Sequence, residues 1–392
     1  MSRRFTQIAG GVATLFLLGV IVAFFVVPPY FDWRMNAVVR PGSYTPSEAA
    51  TNLHESLFIA DLHTDSLLWN RSMLVENARG HVDVPRLIKG NVALQAFTIV
   101  TKTPKDMNYE NNTGDTDNIT TLAIMQRWPR ATYSSLLQRA LYQAEKLHTF
   151  ESGSMGALTV IESKKDLEAF VSRRAANDKL VGAFLGVEGA HCLEGKLENI
   201  DVLFNAGIRM IGITHFFDNE LGGSAHGVSK AGLTEFGFAC VKKFEERKIL
   251  IDLAHASPAV IDDVLNLATR PVVVSHGGVK GTCDRTRNLS DEHIKRIADG
   301  GGVVAIGYWD EAVCGLDAPS IVKAIRHAVA VGGADHVGLG SDFDGVITAP
   351  FDTAGLVEIT EELLKQGVSE VDIAKIMGGN VQRVLRESLP EQ

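Results

Sequence analysis

The stretch that decides the fold is LFIADLHTD, residues 57–65, an apolar run of strand length that ends in His63 and, two residues on, Asp65. In a strand, residues i and i+2 point to the same side, so these two side chains leave the run together. A single histidine at a strand end is ordinarily hydrogen-bonded filler. Here the pattern repeats. VALQAFTIV (92–100), VGAFLGVE (181–188), IRMIGITH (208–215), ILIDLAH (249–255), PVVVSH (271–276), GVVAIGYW (302–309) and HVGLGSD (336–342) are further apolar, β-branched runs. Six of the eight runs end in side chains that bind metals or move protons: His63 with Asp65, Glu188, His215, His255, His276 and Asp342.

Between the runs lie stretches of helical spacing and mixed charge, such as DLEAFVSRRAANDKL, TEFGFACVKKFEERK and SIVKAIRHAVAVGG. Strand and helix alternating eight times predict an α/β fold of the (β/α)8, TIM-like barrel type, in which the carboxyl ends of all strands meet at one mouth. A doubly wound open sheet is the competing fold, but no glycine-rich phosphate loop follows the first run. One segment interrupts the repeat. PKDMNYENNTGDTDNIT (104–120) is polar and reads as a long loop over one end of the barrel, ahead of a helical stretch around 133–149.

The chain has 392 residues, 45% of them hydrophobic, enough for a large core. With 38 basic against 47 acidic residues the net charge is −9, which argues against nucleic acid as a partner. The four cysteines, Cys192, Cys240, Cys283 and Cys314, form no CxxC pair, and one disulfide among them stays open. At the N-terminus, IAGGVATLFLLGVIVAFFVV (8–27) runs for 20 residues without a charge, the length of a membrane-crossing helix. Arg3 and Arg4 precede it, which predicts a single-pass anchor with its N-terminus in the cytoplasm and the rest of the chain on the outer, periplasmic or extracellular side. The competing reading is a cleaved signal peptide, but the run is longer than such an apolar core and no A-x-A-like site follows it. The expected organisation is an anchor over 1–30, a linker over 31–51 and a catalytic barrel over 52–392.

Imidazoles and carboxylates gathered at one mouth without cysteine suit Zn²⁺ or a similar divalent ion in a hydrolytic site. Three neighbours compete for roles: His191 with the other histidines, Arg285 with Arg287, and Asp344 with Asp342. The serine of GGSAHG is no nucleophile elbow, since G-x-S-x-G needs a strand before it and a helix straight after.

The motifs DLHTD, GVEGAH, THFFDN, GLTEFGFACVKKFEERKILIDLAHAS, VVVSHGG, TRNLSDE and HVGLGSDFDG, in this order from about residue 55 onward, resemble the membrane dipeptidase (renal dipeptidase) family of zinc peptidases, a branch of the amidohydrolase-like barrels. The resemblance implies two zinc ions per chain bridged by Glu188. His63, Asp65 and Glu188 would hold one, and Glu188, His255 and His276 the other. It also implies that His215 polarises the substrate carbonyl, that Arg287 holds the substrate's terminal carboxylate and that Asp342 moves the proton. The implied reaction is hydrolysis of a dipeptide, with a D-residue accepted at its C-terminal position, by a hydroxide bridging the metals. A related amidohydrolase acting on another amide or a lactam is the alternative; such enzymes commonly carry His-x-His on the first strand and a carboxylated lysine, where this chain has Asp65 and Glu188. The expected partners are a small dipeptide and the membrane, with a homodimer left open.

Overall fold

The structure is a computed structural model that describes residues 2–40, 42 and 44–392. All eight apolar runs contain a strand. These are β1 (Ile59–Asp61), β2 (Val92–Val100), β3 (Val181–Glu188), β4 (Ile208–Gly212), β5 (Leu250–Asp252), β6 (Val273–Val274), β7 (Val303–Ile306) and β8 (Val337–Leu339). Each pairs in parallel with the next, and β8 pairs with β1, so the sheet closes into an eight-stranded barrel. β2 and β3 have the bounds of their runs. The other six are shorter, because the chain leaves the ladder early and carries its terminal residues out into the mouth.

One strand attached to the barrel sheet was not expected. Leu158–Val160 pairs with Val181–Ala183, the first part of β3, while β4 pairs with the later part, Leu185–Val187. Since β2 runs along the other edge of β3, this short strand and β4 share one edge in succession. Its brevity explains why it escapes sequence patterning.

Alternation along β3 sorts its side chains. Val181, Ala183, Leu185 and Val187 pack outward into the main cluster under the helices, whereas Phe184 packs in the barrel interior. Glu188 is in step with Phe184, so period 2 delivers its carboxylate to the inside of the mouth. The helices start on side-chain caps, among them Ser163, Thr234, Ser257, Ser290 and Asp317. At the opposite end, the helix Asn380–Ser388 lays Val381, Val384 and Leu385 on the interior cluster and closes the floor.

The N-terminal helix runs as Ser2–Ile21, a π-helical turn over Val22–Val26, and Val27–Met35. Gly10–Met35 is long and apolar enough to cross a membrane, and its most apolar window buries nothing against the protein. The segment expected as a linker continues this helix to Met35, pairs Ala37–Val38 with Thr348–Ala349, and enters the helix Glu48–Ser56. The polar excursion crosses the mouth, where Asn112 bridges to Gly227 and its amide donates to the His226 carbonyl at 2.8 Å. The helical stretch after it is Leu136–Gly153.

Candidate active site

Seven side chains from six strand ends converge at the mouth, all buried: His63 and Asp65 after β1, Glu188 ending β3, His215 after β4, His255 after β5, His276 after β6 and Asp342 after β8. Glu188 lies at the centre. Its Oε1 is 2.9 Å from His255 Nε2, 3.3 Å from His276 Nε2 and 3.6 Å from His63 Nε2, and its Oε2 is 3.1 Å from His215 Nε2. His63 Nε2 is also 3.5 Å from Asp65 Oδ1 and 3.8 Å from Asp342 Oδ1.

Two observations test whether these residues fit a metal. Ligand atoms about 2.0–2.2 Å from a tetrahedral ion lie roughly 3.3–3.6 Å from one another; the carboxylate–imidazole separations above run from 2.9 to 3.8 Å, and the donor atoms within each group lie within 4.8 Å of one another. Second, His63 Nε2 is buried with no hydrogen-bond partner, and His255 Nε2 faces His276 Nε2 at 3.0 Å. Lone pairs aimed at one small space suit a cation. Three overlapping donor groups result: His63, Glu188 and His276; Glu188, His215 and His255; His63, Asp65 and Asp342. His215, expected beside the metals, thus stands as close to Glu188 as the expected ligands do.

The electrostatics agree. Burial, and then the Asp65 charge, push Glu188 well above the usual carboxylate range. Burial would lower His63, but Glu188, Asp65 and Asp342 hold it up at about 10. Burial drives His215, His255 and His276 well below the ordinary imidazole value, which keeps them neutral and their lone pairs available. Asp342 is raised to about 7 by burial, against the pull of His63. Carboxylates pushed up around one elevated histidine mark a buried site rich in negative charge and short of positive charge.

The imidazoles are oriented by groups that sequence reasoning missed. Ser275 Oγ donates to Asp252 Oδ2 at 2.6 Å and lies 3.1 Å from His63 Nδ1 and 3.0 Å from His276 Nδ1. A hydroxyl has two acceptor lone pairs, so one serine receives both Nδ1 protons and leaves both Nε2 atoms free toward Glu188. Thr98 Oγ1 donates to Asp65 Oδ1 at 2.7 Å, and Asp61 accepts from the His63 and Ser341 amides. The available signal was an aspartate inside an otherwise apolar run, as in IADLH and LIDLAH. Backbone strain collects here too, since His255 and Asp342 have φ of 61°.

The competing residues separate in space. Arg287 is largely buried, lines the mouth, donates to the His276 carbonyl at 2.9 Å and stacks 5.0 Å from the Trp309 ring. Arg285 is half-exposed and pairs with Glu311. Asp344 is buried behind the mouth, bonded by Arg71, Ser66 and His81. Burial would raise its pKa, but Arg71 and His81 hold it well below the carboxylate range, so it stays an anion in a structural network. His191 bonds Thr101 at 3.0 Å and packs on Phe217, outside all three donor groups. Cys283, four residues before Arg287, forms a disulfide with Cys314.

A closed (β/α)8 barrel with buried histidines and carboxylates at its carboxyl end defines a class, the barrel hydrolases that hold metal at the mouth. The sequence profile of the membrane dipeptidase family, peptidase family M19, matches residues 47–390. The chain belongs to this family and is a metallo-dipeptidase. It is 27% identical over 380 residues to the dipeptidase aclJ of Aspergillus oryzae, covering 88% of this chain and 84% of that one. It is 32% identical over 249 residues to an uncharacterized Klebsiella pneumoniae protein encoded in the pqqA 5′ region, covering 59% and 90%. Its fold matches a Rhodobacter sphaeroides metallopeptidase crystallised with a phosphinate mimic of the dipeptide L-Ala-D-Ala, with a TM-score of 0.71 and 23% identity, over 85% of this chain and 99% of that one.

Proposed function

We propose that the chain is a two-zinc dipeptidase in which His63, Asp65 and Glu188 hold one ion and Glu188, His255 and His276 the other. The observation that carries this reading is the place of Glu188, whose two oxygens both face imidazole nitrogens within 3.6 Å. Zinc held there supplies Lewis acidity toward the scissile carbonyl and lowers the pKa of water.

The remaining work falls to the chain's own groups. Arg287, fixed by the His276 carbonyl and the Trp309 ring, clamps the terminal carboxylate of the dipeptide. His215 hydrogen-bonds the carbonyl oxygen as negative charge develops on it. Asp342 takes the proton from the attacking water and passes it to the leaving amine nitrogen. A carboxyl held near 7 is matched to that exchange at neutral pH. The bound mimic in the Rhodobacter structure favours acceptance of a D-residue at the C-terminal position.

The same reading places the chain in two parts, a membrane anchor and an outer catalytic domain. Arg3 and Arg4 ahead of the apolar run support a cytoplasmic N-terminus. The Cys283–Cys314 disulfide supports an oxidising compartment for the barrel. Elemental analysis of the purified protein together with hydrolysis of L-Ala-L-Ala and L-Ala-D-Ala tests the proposal. The expected result is close to two zinc ions per chain and cleavage of both. Less than one metal per chain and no cleavage would overturn it.

A further inference from the structure

The cavity above the candidate site has a volume of about 430 Å³, and two of its wall residues, Phe31 and Met35, come from the helix that leads out of the apolar N-terminal run. They share the cavity with Glu188, Arg287 and Asp342. Both are incompletely covered, Phe31 at 42% and Met35 at 38% exposure, and Val346 beside them is 41% exposed. The polar chemistry therefore sits at the bottom of a cavity whose rim is open and apolar.

This wall is bolted in place. Asp32, between the two, is buried and accepts from Arg71 Nη1 at 2.6 Å and Arg79 Nε at 2.8 Å. Arg71 in turn bonds Asp344. Asn36 Oδ1 receives the Val346 amide at 3.0 Å, and Ala37–Val38 pairs with Thr348–Ala349. The helix end is thus clasped to the segment that carries Asp342.

Position along the helix gives the setting. Phe31 lies four residues beyond Val27, the end of the apolar stretch 8–27, a rise of about 6 Å. The headgroup layer on each side of the hydrocarbon core is roughly 5–8 Å thick. Tyr30 and Trp33 on the same turn are exposed, as aromatic residues at that depth commonly are. With the apolar run read as a membrane anchor, the rim of the cavity lies at the level of the bilayer surface.

We propose that the membrane-proximal helix Val27–Met35 is a wall of the substrate cavity and that the enzyme selects dipeptides bearing a bulky apolar side chain, which packs on Phe31 and Met35. The proposal rests on the dipeptidase reading. Arg287 provides for the terminal carboxylate and the site below for the amide bond, and the apolar wall is what remains for a side chain to meet. Removing such a contact costs about tenfold or more in discrimination.

The test uses the full-length protein in phospholipid nanodiscs and compares kcat/KM for Ala-Ala with that for X-Ala and Ala-X, X being Leu or Phe. Wild type should favour one bulky series over Ala-Ala by about tenfold or more, and Phe31→Ser and Met35→Ser should each shrink that ratio severalfold, while Phe31→Leu restores most of it. The ratio is internal to each variant, so a fall in folded fraction does not move it. Because the two positions are tested separately, loss of fold at one leaves the other to decide. Cleavage with the ratio unmoved in the serine variants would overturn the proposal alone. A wild-type protein that cleaves no dipeptide would overturn the dipeptidase reading and the proposal with it.

Discussion

The two ends of the barrel are made from the same eight strands and are finished in opposite ways. At the floor, Val381, Val384 and Leu385 of the last helix fill the interior, and the carbonyls at the strand starts are bonded, that of Val337 by Asn380 Nδ2 at 2.8 Å and that of Gly301 by Arg383 Nη1 at 2.8 Å. At the mouth, carboxylates and imidazoles are buried together, His63 Nε2 and His215 Nδ1 have no partner, and non-glycine residues adopt left-handed backbone. Val346 is one of them with φ 65°, a costly conformation for a β-branched side chain. The floor is not free of such breaks, since Ser388 Oγ has no partner and Asn91 and Lys248, next to the starts of β2 and β5, have positive φ, but the mouth gathers its breaks around buried carboxylates and imidazoles. Breaks so gathered mark where the molecule acts, since unpaired polar atoms and strain persist only where surrounding structure enforces them.

That contrast can be broken from either end. The largest effect is expected from Glu188→Gln, which removes the group facing every imidazole of the cluster. Metal content measured by elemental analysis should fall for both ions together and kcat by roughly 10³-fold or more. Loss of a single ion would remove the bridging role. Asp342→Asn comes next: kcat should drop by roughly 10²–10⁴-fold with metal content near wild type. Metal loss in that variant would make Asp342 a ligand, and near-normal turnover would end its part in proton transfer.

At the floor the outcome should be inverted. Leu385→Ala opens space in the interior cluster and should cost about 2–5 kcal/mol in denaturant unfolding while metal content and kcat stay unchanged. A catalytic defect in this variant would show that the two ends are coupled. The smallest effect sharpens the account of the mouth. Ser275→Ala takes away the hydroxyl between His63 Nδ1 and His276 Nδ1, so metal affinity, measured by competition with a chelator, should weaken about 10–100-fold. Unchanged affinity would mean that the two rings are held by packing alone.

Much of this was legible in the chain. Each of the eight runs contains a strand, and the ends of six carry the residues that meet at the mouth, because parallel strands buried on both faces read as near-continuous apolar runs and a barrel brings their carboxyl ends together. The strand Leu158–Val160 was not legible, being three residues in a mixed segment. Nor was the role of Ser275, which depends on two histidines separated by more than 200 residues lying on one oxygen. Arg285 and Arg287, two residues apart, could be told apart only by where the loop after β6 turns them.

By itself the sequence determined the barrel, the apolar N-terminal helix and the set of candidate metal donors, since each is written in hydrophobic period or in residue type at a strand end, and both are local properties. Only the tertiary structure decided which atoms of those donors face one another, that Ser275 and Asp252 orient them, that Asp344 is held as an anion behind the mouth while Asp342 lines it, and that Phe31 and Met35 close one side of the cavity. These are matters of distance between segments remote along the chain. They are settled by closure of the sheet and by buried ion pairs such as Arg71 with Asp32 and Asp344, which no pattern within a single segment encodes.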